Sequence, residues 1–516
     1  VGIQSMVLHL MKLPHLSGIK QLANQTAWYG LSNIIGRFIN YLLTPLLTSI
    51  YAPSAFGDIS LLFATAAFLN IIYTYGMETS YFRFNQIENE SKVFNNAFSS
   101  LLLTTILFSI ILIIPANTIV DYLALNGHSE YILFVVGIVA LDTLAVLPFS
   151  KLRHEGRPRK FALIKILNIV INVLLIIFFL QVCKPAFENG EENIFSRIYS
   201  PSIGIGYVFI AQFIASGITL LLLFNELKVY HFEIDTKLFK EIFIYSSPLI
   251  IVGFGGMINE TIDRFMIIQR FDGTIEAAKT ANGIYSANNK LAILIVIFIQ
   301  TFRMGAEPFF FKTSAKEDAK NTYVRVMNFF VIACCCCFLG VVLFLDVWKY
   351  FMGVHKNPSY AEGLFIVPIL MISKIFLGIY YNLSIWYKLT NKNMMGALIT
   401  IIGAMITIAV NYFFIPSLGY MACALANLAC YGMMMLLSYW LGNKYYPIPY
   451  QWMKSFGYLI FVYLLYLIHH YFRLQMIGVL PLHSMGIAFM LIFIILVLRL
   501  EKEEMKKIPF VNRLYR

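Results

Sequence analysis

Long apolar runs constrain this chain more than any other feature of its sequence. The segment from Ala97 to Pro115 contains no charged residue, and neither does the segment from Leu459 to Ile468. About 20 consecutive apolar residues are enough for a helix to cross the hydrocarbon core of a bilayer. Because lipid offers no hydrogen-bond partners, the backbone of such a run must pair internally, which favours helices. The sequence therefore predicts an all-α, polytopic membrane protein.

The low content of charged residues supports the same interpretation. Only 13% of the 516 residues are charged, and the mean hydropathy is +0.73. Soluble domains carry about 25% charged residues. A chain with half that charge density cannot cover a large water-facing surface, which excludes an ordinary soluble enzyme.

The apolar runs predict about fourteen transmembrane helices in two related halves. A cytoplasmic tail (1–23) precedes an N-terminal six-helix lobe (24–224), a cytoplasmic connector (225–241) and a C-terminal six-helix lobe (242–441). Helices 13 and 14 (454–499) and a cytoplasmic tail (500–516) follow. A weak internal repeat matches Asn168 and Asn172 of the fifth span to Asn411 of the eleventh. Two related halves are typical of transporters that bind substrate near the bilayer midplane.

The basic residues predict the orientation of the chain. Of 39 Lys and Arg residues, 26 fall in one set of alternate loops and tails and only 7 in the other. Cytoplasmic loops carry an excess of Lys and Arg, so both termini are expected to be cytoplasmic. The net charge of +12 then reflects topology, and no nucleic-acid partner is expected.

Six basic residues remain, and all lie within predicted spans: Arg37, Lys165, Arg264, Lys290, Arg303 and Lys374. The acids within spans are Glu78, Asp142, Glu260, Asp263 and Glu307. A charge at the centre of a membrane helix costs about 2.5–3.5 kcal/mol on insertion scales, so it normally faces a cavity or a partner. These residues are therefore the candidates for a functional site.

Several of these charges also have a purely structural interpretation. Lys165 lies one turn from the cytoplasmic end of its span and can extend to the interface. Glu260 with Arg264, and Arg303 with Glu307, are four residues apart and can neutralise each other on one helix face. Arg37 and Lys374 lie near the middle of their spans without an acid at helical spacing. They are the strongest candidates for cavity-lining cations.

The chemistry of these groups indicates an anionic substrate. Arg offers a planar fork that fits phosphate oxygens, and Lys offers a point charge. A cavity with low-dielectric walls and several such groups attracts an anionic head group. The acids Glu78, Asp263 and Glu307 are expected either to hold coupling H⁺ or Na⁺ or to offset the cations. No organic cofactor or protein-bound metal is expected.

No motif for catalysis emerges, so the chain is not expected to be an enzyme. A membrane polysaccharide polymerase or O-acyltransferase would require a long outer catalytic loop or a membrane-facing histidine. The sequence has no long outer loop, and His469 and His470 lie near the end of span thirteen. No nucleophile–His–acid, metal-ligand or phosphate-loop pattern is present either.

Several motifs, in order along residues 22–499, resemble those of the polysaccharide-export flippases of the multidrug/oligosaccharidyl-lipid/polysaccharide (MOP) exporter superfamily. They are Trp28–Asn33, Arg37 and Leu43–Leu47 in span one, Gly156–Phe161 after span four, Ile262–Phe265 in span seven, Gly283–Ser286 and Lys290 in span eight, and Asn411–Pro416 in span eleven. One departure is the run Tyr420–Ala424, which is bulkier at its start than the usual glycine-rich version.

The resemblance implies a transporter with MATE-like architecture, built from two six-helix lobes around a central cavity. Such flippases move undecaprenyl-diphosphate-linked oligosaccharides across the bacterial inner membrane for O-antigen, lipopolysaccharide, capsule or exopolysaccharide synthesis. The implied partners are this lipid-linked substrate, membrane lipids, the polysaccharide polymerase and the chain-length machinery. Arg37, Arg264 and Lys290 lie in matching motifs, whereas Arg303 and Lys374 rest on the charge argument alone. A lipid II flippase and a cation-coupled multidrug extruder of the same superfamily are the alternatives.

Overall fold

The fold is described from a computed structural model of the 516-residue chain. The structure describes residues 34–36, 38–39, 41–125, 127–314, 317–475 and 478–505, and these form helices without a β-strand among them. The packing of the chain defines two units, Val1–Gly283 and Ile284–Arg516. The all-α class expected from the sequence is confirmed, whereas the lobe boundaries expected at 224 and 242 stay a prediction.

The first unit is a set of antiparallel helices joined by short connections. Residues 41–50 are helical, and the helices that follow are α1 (Pro53–Thr74), α2 (Met77–Phe84), α3 (Glu90–Ile113), α4 (Ala116–Tyr122), α5 (Ser129–His154), α6 (Pro158–Ile177), α7 (Lys184–Glu188), α8 (Ile194–Ile198), α9 (Gly206–Leu222), α10 (Phe224–Leu227) and α11 (Thr236–Arg270). A π-helical turn, Phe178–Cys183, continues α6.

The second unit has the same all-helical construction. Helix α12 (Ile275–Thr313) begins in the first unit and continues into the second. It is followed by α13 (Ala319–Val342), α14 (Leu345–Phe351), a 3₁₀ segment (Pro358–Ile366), α15 (Val367–Leu383), α16 (Ile385–Leu389), α17 (Asn393–Leu418), α18 (Met421–Tyr445), α19 (Trp452–Leu474), α20 (Val479–Leu500) and α21 (Lys502–Met505).

Twelve helical segments within the described residues are long and apolar enough to cross a membrane. The first and sixth predicted spans are not among them. The predicted span 24–51 lies partly outside the described residues, and α9, within the predicted span 202–224, is only 17 residues long. The polytopic membrane architecture is confirmed, and the number fourteen stays a prediction.

The surface of the helices fits a lipid environment. Leu221, Phe413 and Leu480 expose 72%, 70% and 82% of their surface. Exposed apolar area on this scale is typical of a surface that contacts lipid or another protein. The buried polar and charged side chains are consequently the candidates for functional groups.

A left-handed turn separates α1 from α2. Tyr75 and Gly76 have φ values of 31° and 75°, and glycine adopts the second of these at little steric cost. The turn ends α1 and starts the short helix α2, which carries Glu78 in its first turn.

Candidate functional site

Lys374 lies inside the second unit, on α15. Only 6% of the residue is exposed. Its ammonium donates a hydrogen bond to Oδ1 of Asn427 over 3.1 Å and lies 4.8 Å from the centroid of the Tyr431 ring. Amide oxygens and aromatic faces both stabilise a cation without cancelling its charge. The cation predicted from the sequence is thus surrounded by polar and aromatic groups in the protein interior.

Helix α18 supplies the groups around Lys374 because of its sequence spacing. Cys423, Asn427 and Tyr431 are four residues apart and share one helix face. The Asn427 amide donates to the backbone oxygen of Cys423 over 3.0 Å and to the hydroxyl of Tyr285 over 3.2 Å. These bonds fix the amide so that its oxygen faces Lys374. The bulky residues at the start of the 420–424 run, Tyr420 and Met421, are half-buried, whereas Ala422 and Cys423 are fully buried.

Arg303, Glu307 and Lys388 form a second cluster in the second unit. The Arg303 guanidinium donates to Oε1 of Glu307 over 2.8 Å, and the Lys388 ammonium donates to the same oxygen over 2.5 Å. The guanidinium also lies 4.6 Å from the Tyr381 ring centroid. The pairing predicted from the spacing of Arg303 and Glu307 is confirmed. With two cations on one carboxylate, the cluster as a whole is positive.

Lys290 is half-buried on α12 and follows two buried asparagines. Asn288 donates its amide to the backbone oxygens of Ile284 and Tyr360, over 2.8 and 2.9 Å. Those bonds tie α12 to the 3₁₀ segment Pro358–Ile366 and set the local position of Lys290. Its proposed contact with substrate stays a prediction.

Arg264 and Asp263 lie together in the first unit, on α11. The Arg264 guanidinium donates to Oδ1 of Asp263 over 2.9 Å and to the hydroxyl of Ser60 over 3.3 Å. It also bonds the backbone oxygen of Glu260 over 2.9 Å. The carboxylate that Arg264 contacts is therefore that of Asp263 rather than that of Glu260, which the spacing of four favoured. Rotation of the Arg264 side chain toward α1 explains the difference.

Glu78 forms an ion pair with Arg153, at the end of α5. Arg153 belongs to the basic residues that the sequence assigns to the cytoplasmic side, so Glu78 lies toward the same end of the helices. Arg37 lies outside the described residues, and its role stays a prediction. Each of the three candidate coupling acids, Glu78, Asp263 and Glu307, thus contacts a cation. These contacts fit charge balance, and ion coupling stays a prediction.

Two further charged pairs escape the sequence analysis. Lys279, counted among the outer-loop cations, donates to Oδ2 of Asp58 over 3.0 Å. Asp142, which has no partner along its own helix, lies near Ser216 and Lys165 of other helices. The two members of each pair lie on different helices. The spacing of charged residues within a single helix therefore cannot predict either pair. Among the described residues, no three His, Cys, Asp or Glu side chains are grouped to hold a metal ion.

Within each unit, the candidate residues that the structure describes have different contact partners. Arg264 and Asp263 are paired in the first unit, Arg303 and Glu307 are paired in the second, and Lys374 has its own surroundings in the second unit. Each environment contains a cation inside or beside a candidate membrane span. Such groups can bind phosphate oxygens if substrate reaches them.

Comparison with solved structures shows the fold class. A structure described as "Lipid II flippase MurJ, inward closed conformation" has a TM-score of 0.69 and 12% identity, covering 91% of this chain and 98% of that one. An inward-facing multidrug resistance MATE family transporter of the MOP superfamily has a TM-score of 0.58 and 12% identity, covering 78% and 93%. The Vibrio cholerae MATE transporter VcmN has a TM-score of 0.52 and 14% identity, covering 83% and 98%.

Sequence comparison shows the family. No curated protein matches the chain significantly. Residues 22–314, more than half of the chain, match the family described as polysaccharide biosynthesis protein. This match shows the family, while the solved structures, at 12–14% identity, show the fold alone. The chain belongs to the polysaccharide biosynthesis protein family, and its fold is similar to those of the flippase and multidrug transporter structures.

Proposed function

We propose that this transporter flips undecaprenyl-diphosphate-linked oligosaccharide units across the bacterial inner membrane by alternating access. The product would feed O-antigen, lipopolysaccharide, capsule or exopolysaccharide synthesis. The observation that carries the proposal is the family match over residues 22–314 in a chain with a flippase-like fold. A transporter that belongs to a polysaccharide biosynthesis family is expected to move a saccharide or the lipid that carries it.

The charges of the described residues support a diphosphate-bearing substrate. Lys374 keeps its ammonium in the protein interior beside a neutral amide, and Arg303 shares Glu307 with Lys388. A charged side chain inside a membrane protein normally faces a cavity, a partner or a ligand. An incoming diphosphate would supply negative charge and reduce repulsion among Arg37, Arg264, Lys290, Arg303 and Lys374. The apolar tail would stay in the bilayer.

Coupling to H⁺ or Na⁺ is the proposed means of resetting the cycle. Glu78, Asp263 and Glu307 are the proposed sites, and each contacts Arg or Lys. When the substrate leaves, such a carboxylate regains its cation partner. Both termini are proposed to be cytoplasmic on the basis of the positive-inside pattern. The polymerase and chain-length machinery remain the proposed partners.

A lipid II flippase is the second candidate. The observation that favours it is the likeness of 91% of this chain to a structure of that description. Both substrates present a diphosphate, so the cations do not discriminate between them. The surplus of cations argues against a multidrug extruder, which needs acids to bind cationic drugs.

Reconstitution tests the proposal. Purified protein is placed in vesicles with a fluorescent polyprenyl-diphosphate oligosaccharide, and transfer between leaflets is followed by enzymatic accessibility of the sugar. Lys374→Met and Arg303→Gln should each slow transfer about tenfold or more, since one charge-assisted hydrogen bond contributes ~1.5–3 kcal/mol. Arg499→Gln, an exposed residue at the end of α20, is the control and should transfer at the wild-type rate. If transfer between leaflets is no faster in vesicles with the wild-type protein than in protein-free vesicles, the proposed function is refuted.

A further inference from the structure

Helix α1 and the start of α12 touch backbone to backbone within the first unit. A Cβ atom placed on Gly57 would lie 2.3 Å from the backbone oxygen of Lys279, and one on Gly283 would lie 1.7 Å from that of Pro53. The Asn282 amide donates to the backbone oxygen of Gly57 over 3.1 Å. Only glycine permits so close a contact. Gly57 and Gly283 therefore mark the contact between α1 and the start of α12.

A buried ion pair closes this contact. The Lys279 ammonium lies 3.0 Å from Oδ2 of Asp58, and the two side chains are only 1% and 14% exposed. The other carboxylate oxygen, Oδ1, is buried without a hydrogen-bond partner among the described residues. A buried acceptor left without a partner destabilises the arrangement that holds it. The ion pair consequently joins α1 to α12, while one oxygen of the Asp58 carboxylate has no hydrogen-bond partner among the described residues.

Other titratable groups lie near the pair. Glu276, on α12 one turn before Lys279, and His128 are both close enough to act on the Asp58 carboxylate. The buried pair differs from the Lys92–Asp235 bridge of the same unit, whose side chains are 40% and 31% exposed. The buried pair can be disrupted by a change in charge at either end.

The position of the contact gives it a role in the cycle. The positive-inside pattern assigns Lys279 to the outer side, and α12 is the helix that carries the chain from the first unit into the second. We propose that Asp58 and Lys279 are positioning residues that form a releasable outer latch, closed in this structure and opened when substrate is released. This inference rests on the proposed alternating-access function.

A labelling experiment tests the latch without measuring transport. Ala278, adjacent to Lys279, is 3% exposed, so Ala278→Cys reports whether the contact is closed. A membrane-impermeant maleimide is applied to membranes or purified protein. Asp58→Asn in this background should raise the labelling rate about tenfold, which corresponds to ~1.4 kcal/mol. The charge-swapped variant, Asp58→Lys with Lys279→Asp, should restore protection. Asp235→Asn breaks the exposed bridge and should leave labelling unchanged.

The outcomes separate the latch from both misfolding and the transport proposal. The latch would be overturned if Asp58→Asn did not change the labelling rate of Ala278→Cys. It would also be overturned if the Asp235→Asn control raised that rate as much as Asp58→Asn does. If Asp58→Asn fails to fold, Lys279→Met removes the same ion pair and is judged by the same criterion. A reversible thiol cross-link in Asp58→Cys, Lys279→Cys protein should stop transport and release it on reduction. Transport that continues when cross-linked also contradicts the latch, whereas a wild type that moves no substrate contradicts only the proposed function.

Discussion

The ammonium of Lys374 lies 3.1 Å from the side-chain oxygen of Asn427, on a neighbouring helix 53 residues further along the chain. The contact joins α15 to α18 inside the second unit. Since the acceptor is a neutral amide, this hydrogen bond orients the lysine without neutralising it.

Removing the amide should destabilise the second unit. Asn427→Leu deprives the Lys374 ammonium of an acceptor, and the expected loss is about 2 kcal/mol of unfolding free energy. Lys374→Met in the same chain should recover much of that loss because the buried charge is gone. Denaturant unfolding in detergent measures both. Strictly additive effects of the two substitutions would show that the residues do not interact.

The glycine contact in the first unit should tolerate no side chain. Gly283→Ala places a methyl group within 1.7 Å of the Pro53 oxygen, and about 3 kcal/mol of destabilisation is expected from such overpacking. Gly305 lies on the same helix α12 with nothing within 4 Å of an added Cβ. Gly305→Ala is therefore the matched control and should stabilise by about 0.5–1 kcal/mol. Similar melting shifts in both variants would contradict the packing.

Glu226, on α10, should be a stabilising residue of the first unit. Its carboxylate is 2% exposed and contacts Arg157 at 3.1 Å and Lys160 at 2.7 Å. Glu226→Gln leaves two partly exposed cations without their acid, and about 1–3 kcal/mol of stability should be lost. Arg157→Gln should cost less because Lys160 still pairs with the acid. An equal or larger effect of Arg157→Gln on thermal unfolding would argue against a shared carboxylate.

Asp235 should confer a pH-dependent stability. Hydrogen bonds from Lys92 and from the first turn of α11 lower the pKa of Asp235 below its ordinary value. A carboxyl whose pKa is lowered on folding stabilises the folded state above its unfolded pKa, and this stabilisation is lost as the pH falls through the folded pKa. Asp235→Asn keeps a good N-cap but removes the charge.

The comparison of melting temperatures at neutral and acidic pH tests this expectation. The variant should be less stable than the wild type at neutral pH, and the difference should shrink as the solution is acidified. Lys92→Met should produce the same trend, since it removes the first cause of the shift. A difference that is independent of pH would contradict the assignment.

The fold could be predicted from the sequence because membrane spans are determined by the composition of short, continuous segments. The apolar runs and the basic loops each involve neighbouring residues, so one sequence is sufficient to read them. The Arg303–Glu307 pair was predictable for the same reason, since a spacing of four places both groups on one helix face.

The candidate site could be predicted only in part because its contacts join distant segments. Lys374 is identified by its position within a span, but Asn427 lies on another helix. Asp58 and Lys279 are 221 residues apart, and no periodicity connects them. Arg264 shows a further limit, because an arginine side chain can reach Asp263 and Ser60 as easily as a residue one turn away.

The most direct test of the account is the identity of the lipid-linked intermediate that accumulates when the transporter is depleted in its own cell. Mass spectrometry of lipid extracts, with the leaflet determined by sugar-modifying enzymes, supplies the measurement. The account predicts that polyprenyl-diphosphate oligosaccharide units accumulate on the cytoplasmic side while surface polysaccharide is lost. Accumulation of the peptidoglycan precursor lipid II, with polysaccharide units unaffected, would contradict it.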